Sequence, residues 1–122
     1  MSESTQELID GYYAAMRRGP EAEADMIALL ADDIVYIEPF TSPGEPAVGI
    51  EAVRARLRSG WETPLPEMEL DVIAIDIRGD TVTTRWECRS PALPTPARGT
   101  DTYTFAGGKI TRLVVEVDDA RA

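Results

Sequence analysis

The side chains able to move protons in this chain are carboxylates and tyrosines. There is no histidine, and Cys88 is the single cysteine. Imidazole-based triads, imidazole proton shuttles, intrachain disulfides and cysteine or histidine metal clusters are therefore excluded. Three positions stand out. In the segment 98–106, alternation puts Gly99, Asp101, Tyr103 and Phe105 on one face of a strand and Thr100, Thr102 and Thr104 on the other. The aromatic face is the interior one, so Asp101 points into apolar surroundings. A carboxylate there is costly unless it is paired, hydrogen-bonded or protonated. That cost makes Asp101 a site candidate; the plainer alternative is a strand-end aspartate solvated at a cavity mouth. Glu38 shares its face with Ile34 and Tyr36 and ends its strand just before Pro39. It either faces a cavity from the strand end or sits at a surface corner. Tyr12 lies on the buried stripe of the first helix, where a phenol either packs or offers its hydroxyl to a partner.

The elements that must position these groups follow from periodicity. Leu8, Tyr12 and Met16, with Ile9 and Tyr13 beside them, give an amphipathic helix over 3–18, stopped by Gly19-Pro20. A second short helix is expected at 21–31, then a strand at 33–38. The loop 39–49 holds three prolines and two glycines. A third helix covers 50–59, with Ile50, Val53 and Leu57 inward and its arginines largely outward. From residue 67 the period changes to two, giving strands at 67–78, 80–90, 98–106 and 109–117. Gly79-Asp80 and Gly107-Gly108 are tight turns, and 90–97 is a Pro-rich connection. The expected architecture is α+β: three N-terminal helices packed on one face of a curved, mostly antiparallel sheet. In 80–90, Val82, Thr84, Trp86 and Cys88 fall on the inner face, and Arg85 and Glu87 on the outer. Phe40, Trp61, Met68, Trp86 and Tyr103 are candidates for lining a substrate pocket, with core packing as the alternative for each.

Length and charge set the class. The 122 residues fit one domain over 1–122. With 12 Lys and Arg against 22 Asp and Glu, the net charge of −10 disfavours nucleic acid and anionic membrane as partners. No apolar run reaches the roughly 20 residues that span a bilayer. The start MSESTQELID lacks a secretory signal pattern. A reducing cytoplasm is the expected compartment.

The order of elements, with ALLADDIVYIEP (28–39), GIEAVRARL (49–57) and TDTYTFAGGKI (100–110), resembles the nuclear transport factor 2-like superfamily. That group includes ketosteroid isomerases, SnoaL-like polyketide cyclases and limonene epoxide hydrolases. The resemblance implies a cone-shaped α+β barrel. Set on the ketosteroid isomerase pattern, Glu38 falls at the general base, with Glu in place of Asp, and Tyr12 and Asp101 fall at the two oxyanion donors. The implied activity is cofactor-free and metal-free proton transfer, isomerisation or cyclisation, on a small hydrophobic carbonyl compound such as a steroid or polyketide. A non-catalytic module binding a small hydrophobic ligand is the alternative. A third reading, epoxide hydrolysis, rests on Arg85 and Glu87. The usual SnoaL-like cyclase pattern includes His, which this chain lacks. The resemblance also implies a homodimer through the outer sheet face, with Thr81, Thr83, Thr100, Thr102 and Thr104 as the contact row.

Overall fold

The computed structural model describes residues 2–39, 45–62 and 66–118. Helix α1 (Ser2–Arg18) runs into a 3₁₀ turn (Gly19–Ala22) and the short α2 (Glu23–Ala28). Strand β1 (Leu30–Ile37) and the two-residue β2 (Ala47–Val48) precede α3 (Ile50–Trp61). Strands β3 (Glu69–Arg78), β4 (Thr81–Arg89), β5 (Ala97–Ala106) and β6 (Lys109–Val117) follow. Gly19 ends α1 at φ +76°, a conformation that costs other residues a steric penalty.

The strands form one sheet in the order β2-β1-β6-β5-β4-β3. It is curved and mostly antiparallel, with the helices packed against it, as the alternation and element order predict. The interior is filled from both layers, by Ile9 and Met26 from the helices and by Ile34, Tyr103, Ile110 and Leu113 from the strands. β4 and β5 alternate strictly. Val82, Thr84, Trp86 and Cys88 are buried on one, and Gly99, Asp101, Tyr103 and Phe105 on the other. Among the described residues, no helix is long and apolar enough to cross a membrane.

Three local expectations are corrected. The helix expected at 21–31 is helical only to Ala28, because β1 starts at Leu30 rather than residue 33. The chain is drawn into the sheet there by β6, which lies parallel to β1: Ile110 N–H donates to the Leu29 carbonyl at 2.9 Å, and Lys109 Nζ to the Ala28 carbonyl at 2.6 Å. The loop expected over 39–49 contains β2, whose Val48 pairs with Val35. Strand β3 is not a single period-two run. Val72 pairs with Trp86 and Ala74 with Arg85, so Ile73 is an extra, bulged residue and 55% exposed. Beyond the bulge, Ile75 and Ile77 take over the face held before it by Leu70 and Val72.

The outer sheet face carries interlocked charges. Arg85 binds Asp118 at 2.8 Å and donates to Thr100 at 2.6 Å, and Arg98 binds Glu87 at 2.9 Å. These pairs are screened by solvent, so they fix side-chain positions on this face more than they stabilise the fold.

Candidate active site

α1, β4 and β5 converge on one carboxyl. Asp101 is 3% exposed and accepts three hydrogen bonds. Tyr13 from α1 donates its hydroxyl to Oδ2 at 2.6 Å, and Tyr103, two residues along β5 on the same face, donates to Oδ2 at 3.0 Å. Trp86 from β4 donates its indole Nε1–H to Oδ1 at 2.9 Å. Trp86 stands directly opposite Gly99 in the β4–β5 register, so its ring lies where a side chain at 99 would otherwise be. The Tyr13 hydroxyl also lies 2.6 Å from Thr84 Oγ1. As Tyr13 gives its one proton to Asp101, Thr84 donates to Tyr13.

Burial raises the Asp101 carboxyl above its ordinary value, and it outweighs the three donors, which pull the other way. Burial likewise pushes the Tyr12, Tyr13, Tyr36 and Tyr103 hydroxyls well up, with the Asp101 charge adding to each. All four hydroxyls therefore keep their protons at neutral pH. Replacing Thr84 by Val keeps the volume but removes the donor behind Tyr13. A loss of about 1 kcal/mol in urea denaturation is expected, since Tyr13 keeps its bond to Asp101.

Asp101 forms part of the wall of a cavity of about 300 Å³. Tyr12, Tyr36, Trp86 and Val115 are buried lining residues, while Met16, Met68, Leu70 and Leu93 are partly or well exposed. The cavity therefore opens on the second side and ends on the first. Its volume is at the small end of ligand sites.

The expected site residues are only partly brought together. Asp101, Tyr12, Trp86 and Met68 line the cavity. Tyr12 packs edge-on against Tyr13 and Tyr103, and its hydroxyl lies near that of Tyr36. The helix-one hydroxyl that reaches Asp101 belongs to Tyr13. Tyr103 stands behind the wall with its hydroxyl on Asp101. Glu38 is buried, as its parity requires, but does not line the cavity; Arg56 from α3 donates to it at 2.9 Å. The same guanidinium donates to the Glu45 carbonyl at 2.9 Å, tying the chain after β1 to α3. Trp61 is half-buried at the end of α3, against the core near Gly19, and is not a lining residue. Phe40 lies outside the described residues.

Tyr13, Thr84, Tyr36 and Leu93 are additional to the expected set. Thr84 carried a signal, since it shares the inward face of Trp86. Leu93, in the Pro-rich connection, carried none. Arg85 and Glu87 are on the outer face, engaged by Asp118 and Arg98, so the epoxide-hydrolysing set has no counterpart at the cavity. Among the described residues, no three Cys, Asp or Glu side chains come together as a metal site.

Helices laid over a curved six-stranded sheet, enclosing an apolar cavity, define an NTF2-like α+β fold. Residues 9–113 match the SnoaL-like domain, and the chain belongs to that family. Solved structures agree on the fold. A proposed ketosteroid isomerase of Kribbella flavida is 21% identical, with a TM-score of 0.76 over 97% of this chain and 80% of its own. A proposed polyketide cyclase of Sinorhizobium meliloti is 16% identical, with a TM-score of 0.74 over 93% and 98%. An NTF2-like protein of unknown function from Mesorhizobium loti is 23% identical, with a TM-score of 0.77 over 96% and 93%. No curated protein matches the chain in sequence.

Proposed function

We propose that this protein binds a small hydrophobic carbonyl compound, of steroid or polyketide type, and moves a proton on it without a cofactor, giving isomerisation or ring closure. The observation that carries this reading is Asp101, a carboxyl set in the wall of an apolar cavity with its proton affinity raised by burial. A general base works best when its pKa is brought toward the working pH, and burial does that for a carboxyl.

The hydrogen bonds around Asp101 favour one choice of reacting atoms. Oδ2 already holds two donors, Tyr13 and Tyr103, whereas Oδ1 holds one, Trp86. Oδ1 is then the atom with a lone pair left for substrate. In the isomerisation, Oδ1 takes the α-proton, and the C–H pair becomes the enolate double bond. The carbonyl oxygen gains the charge and accepts a hydrogen bond from Tyr12, whose hydroxyl turns from Tyr36. Oδ1 then returns the proton at the γ-carbon, restoring the carbonyl in conjugation. Glu38 holds Arg56 in this scheme, and the base assigned to it by resemblance passes to Asp101.

One observation favours a binding module instead: the polar groups around Asp101 satisfy one another, so an apolar ligand can fill the cavity without disturbing them. The two readings part on turnover of a β,γ-unsaturated cyclic ketone, followed by the absorbance of the conjugated product. Turnover that disappears in Asp101→Asn and persists in Glu38→Gln supports the enzyme. Saturable binding with no turnover, or full turnover in Asp101→Asn, rejects it.

Two copies pairing through the outer sheet face, across the part-exposed threonines of β4 and β5, complete the proposal. Light scattering at micromolar concentration should give the mass of two chains; the mass of one removes the pairing.

A further inference from the structure

The open side of the cavity carries a cation that the reaction above does not use. Arg17 directly follows the lining residue Met16, is exposed, and donates Nε–H to the backbone carbonyl of the lining residue Leu70 at 2.9 Å. Acidic side chains outnumber basic ones in this chain by 22 to 12, and eight other arginines are ion-paired to carboxylates. Among the described residues no ion pair involves Arg17. Its place in the last turn of α1 explains a basic residue there. It does not explain a guanidinium pinned by Nε to the cavity rim with both terminal nitrogens still to spend.

We infer that Arg17 holds a carboxylate on the ligand, so that the natural ligand is an apolar ring compound bearing an acid group. This rests on the reading of the cavity as a ligand site. Two parallel N–H groups match the two oxygens of a carboxylate. Pinning Nε to Leu70 removes much of the side-chain freedom that an exposed arginine otherwise loses on pairing. Charge also sets the orientation. Asp101 at the buried end repels a second carboxylate, so the ring enters first and the acid group stays at the rim. Near the rim, Glu67 and Glu69 flank Met68. Glu69 is held by Arg89, and Glu67 is exposed, so its repulsion is screened over about 8 Å at physiological salt.

Two probes of the same shape test this: 2-naphthylacetate and its neutral amide, titrated against the protein by calorimetry. The wild type should bind the acid about two- to fivefold more tightly than the amide, the span of an exposed ion pair. That preference should shrink in high salt, vanish in Arg17→Gln and survive in part in Arg17→Lys. Affinity for the amide should be the same in all three. Equal affinity for the two probes, or a preference that persists in Arg17→Gln, overturns the assignment while leaving the cavity a ligand site. Tighter binding of 2-naphthyl phosphate than of the acid overturns the carboxylate in favour of phosphate. Failure of both naphthyl probes to bind the wild type rejects the cavity reading, and this inference with it.

Discussion

Gly99→Ala lowers stability by about 3 kcal/mol, the upper end of what overpacking costs. A methyl group at position 99 would lie 2.2 Å from Trp86 Cζ2, 2.7 Å from Cε2 and 2.4 Å from the backbone carbonyl oxygen of Glu116. None of these is the loose end of a flexible side chain. The indole is held by its Nε1–H on Asp101 and by the cavity wall, and the carbonyl belongs to β6 within the sheet. Relief therefore requires either that Trp86 swing away from Asp101 or that β5 and β6 part locally. The first route takes one donor from a buried carboxyl and opens the cavity wall; the second breaks sheet hydrogen bonds. Urea denaturation monitored by tryptophan fluorescence measures both, since Trp86 reports its own displacement. Double substitution separates the two contacts. Trp86→Ala should make Gly99→Ala less costly than in the wild type, because the ring clash is gone and only the Glu116 contact remains. A stability for Gly99→Ala within 0.5 kcal/mol of wild type, the usual range of a surface change, would contradict the close packing of Trp86 over β5.

Gly99 also shows how far the sequence could be read. Its inward face was legible, because TDTYTF alternates without interruption and fixes Gly99, Asp101 and Tyr103 on one side. That the missing side chain makes room for Trp86 needs the β4–β5 register, which alternation alone does not supply. The same division recurs elsewhere. The inward turn of Glu38 follows from the parity of β1, but its partner does not. Arg56 reads as an outward residue of α3, yet its side chain is largely buried and reaches Glu38. Tyr12 and Tyr13 sit side by side on the helical stripe, and which hydroxyl meets Asp101 depends on how α1 crosses the sheet. The bulge at Ile73 shows in the sequence only as a change of phase, from Leu70 and Val72 to Ile75 and Ile77, within an apolar run that a single strand could also span. The parallel pairing of β1 with β6 joins residues about 80 apart and overrides the local helical pattern at Leu30. Local pattern thus identified the faces, while the contacts that make the site come from partners distant in the chain.

Asp101→Asn should lower kcat for the ketone by about 10²- to 10⁴-fold, the range for losing a general acid–base group, while leaving the fold intact. The amide can be accommodated. With its oxygen toward Trp86 Nε1–H and its NH₂ toward Tyr13 and Tyr103, both hydroxyls turn and accept, and Tyr13 donates instead to Thr84. The pH dependence of stability then tests the cause of the loss. Burial holds the native carboxyl above the ordinary value near 3.8. Between that value and the higher native one, the folded chain keeps a proton that the unfolded chain has released. Stability therefore falls as pH rises through this window and levels off above the native value. The fully favourable contribution of this group lies below 3.8, where both states are protonated. Asparagine does not titrate, so the difference between Asp101→Asn and wild type should move in favour of the variant as pH rises from 3 toward neutrality. Groups common to both chains cancel in that difference. Urea midpoints of the two proteins at pH 3, 5 and 7 give it directly. A difference that moves against the variant with rising pH would mean that Tyr13, Tyr103 and Trp86 dominate over burial. Asp101 would then be a fixed anion at neutral pH, too weak a base to take a proton from carbon, and the cavity would hold its ligand without changing it.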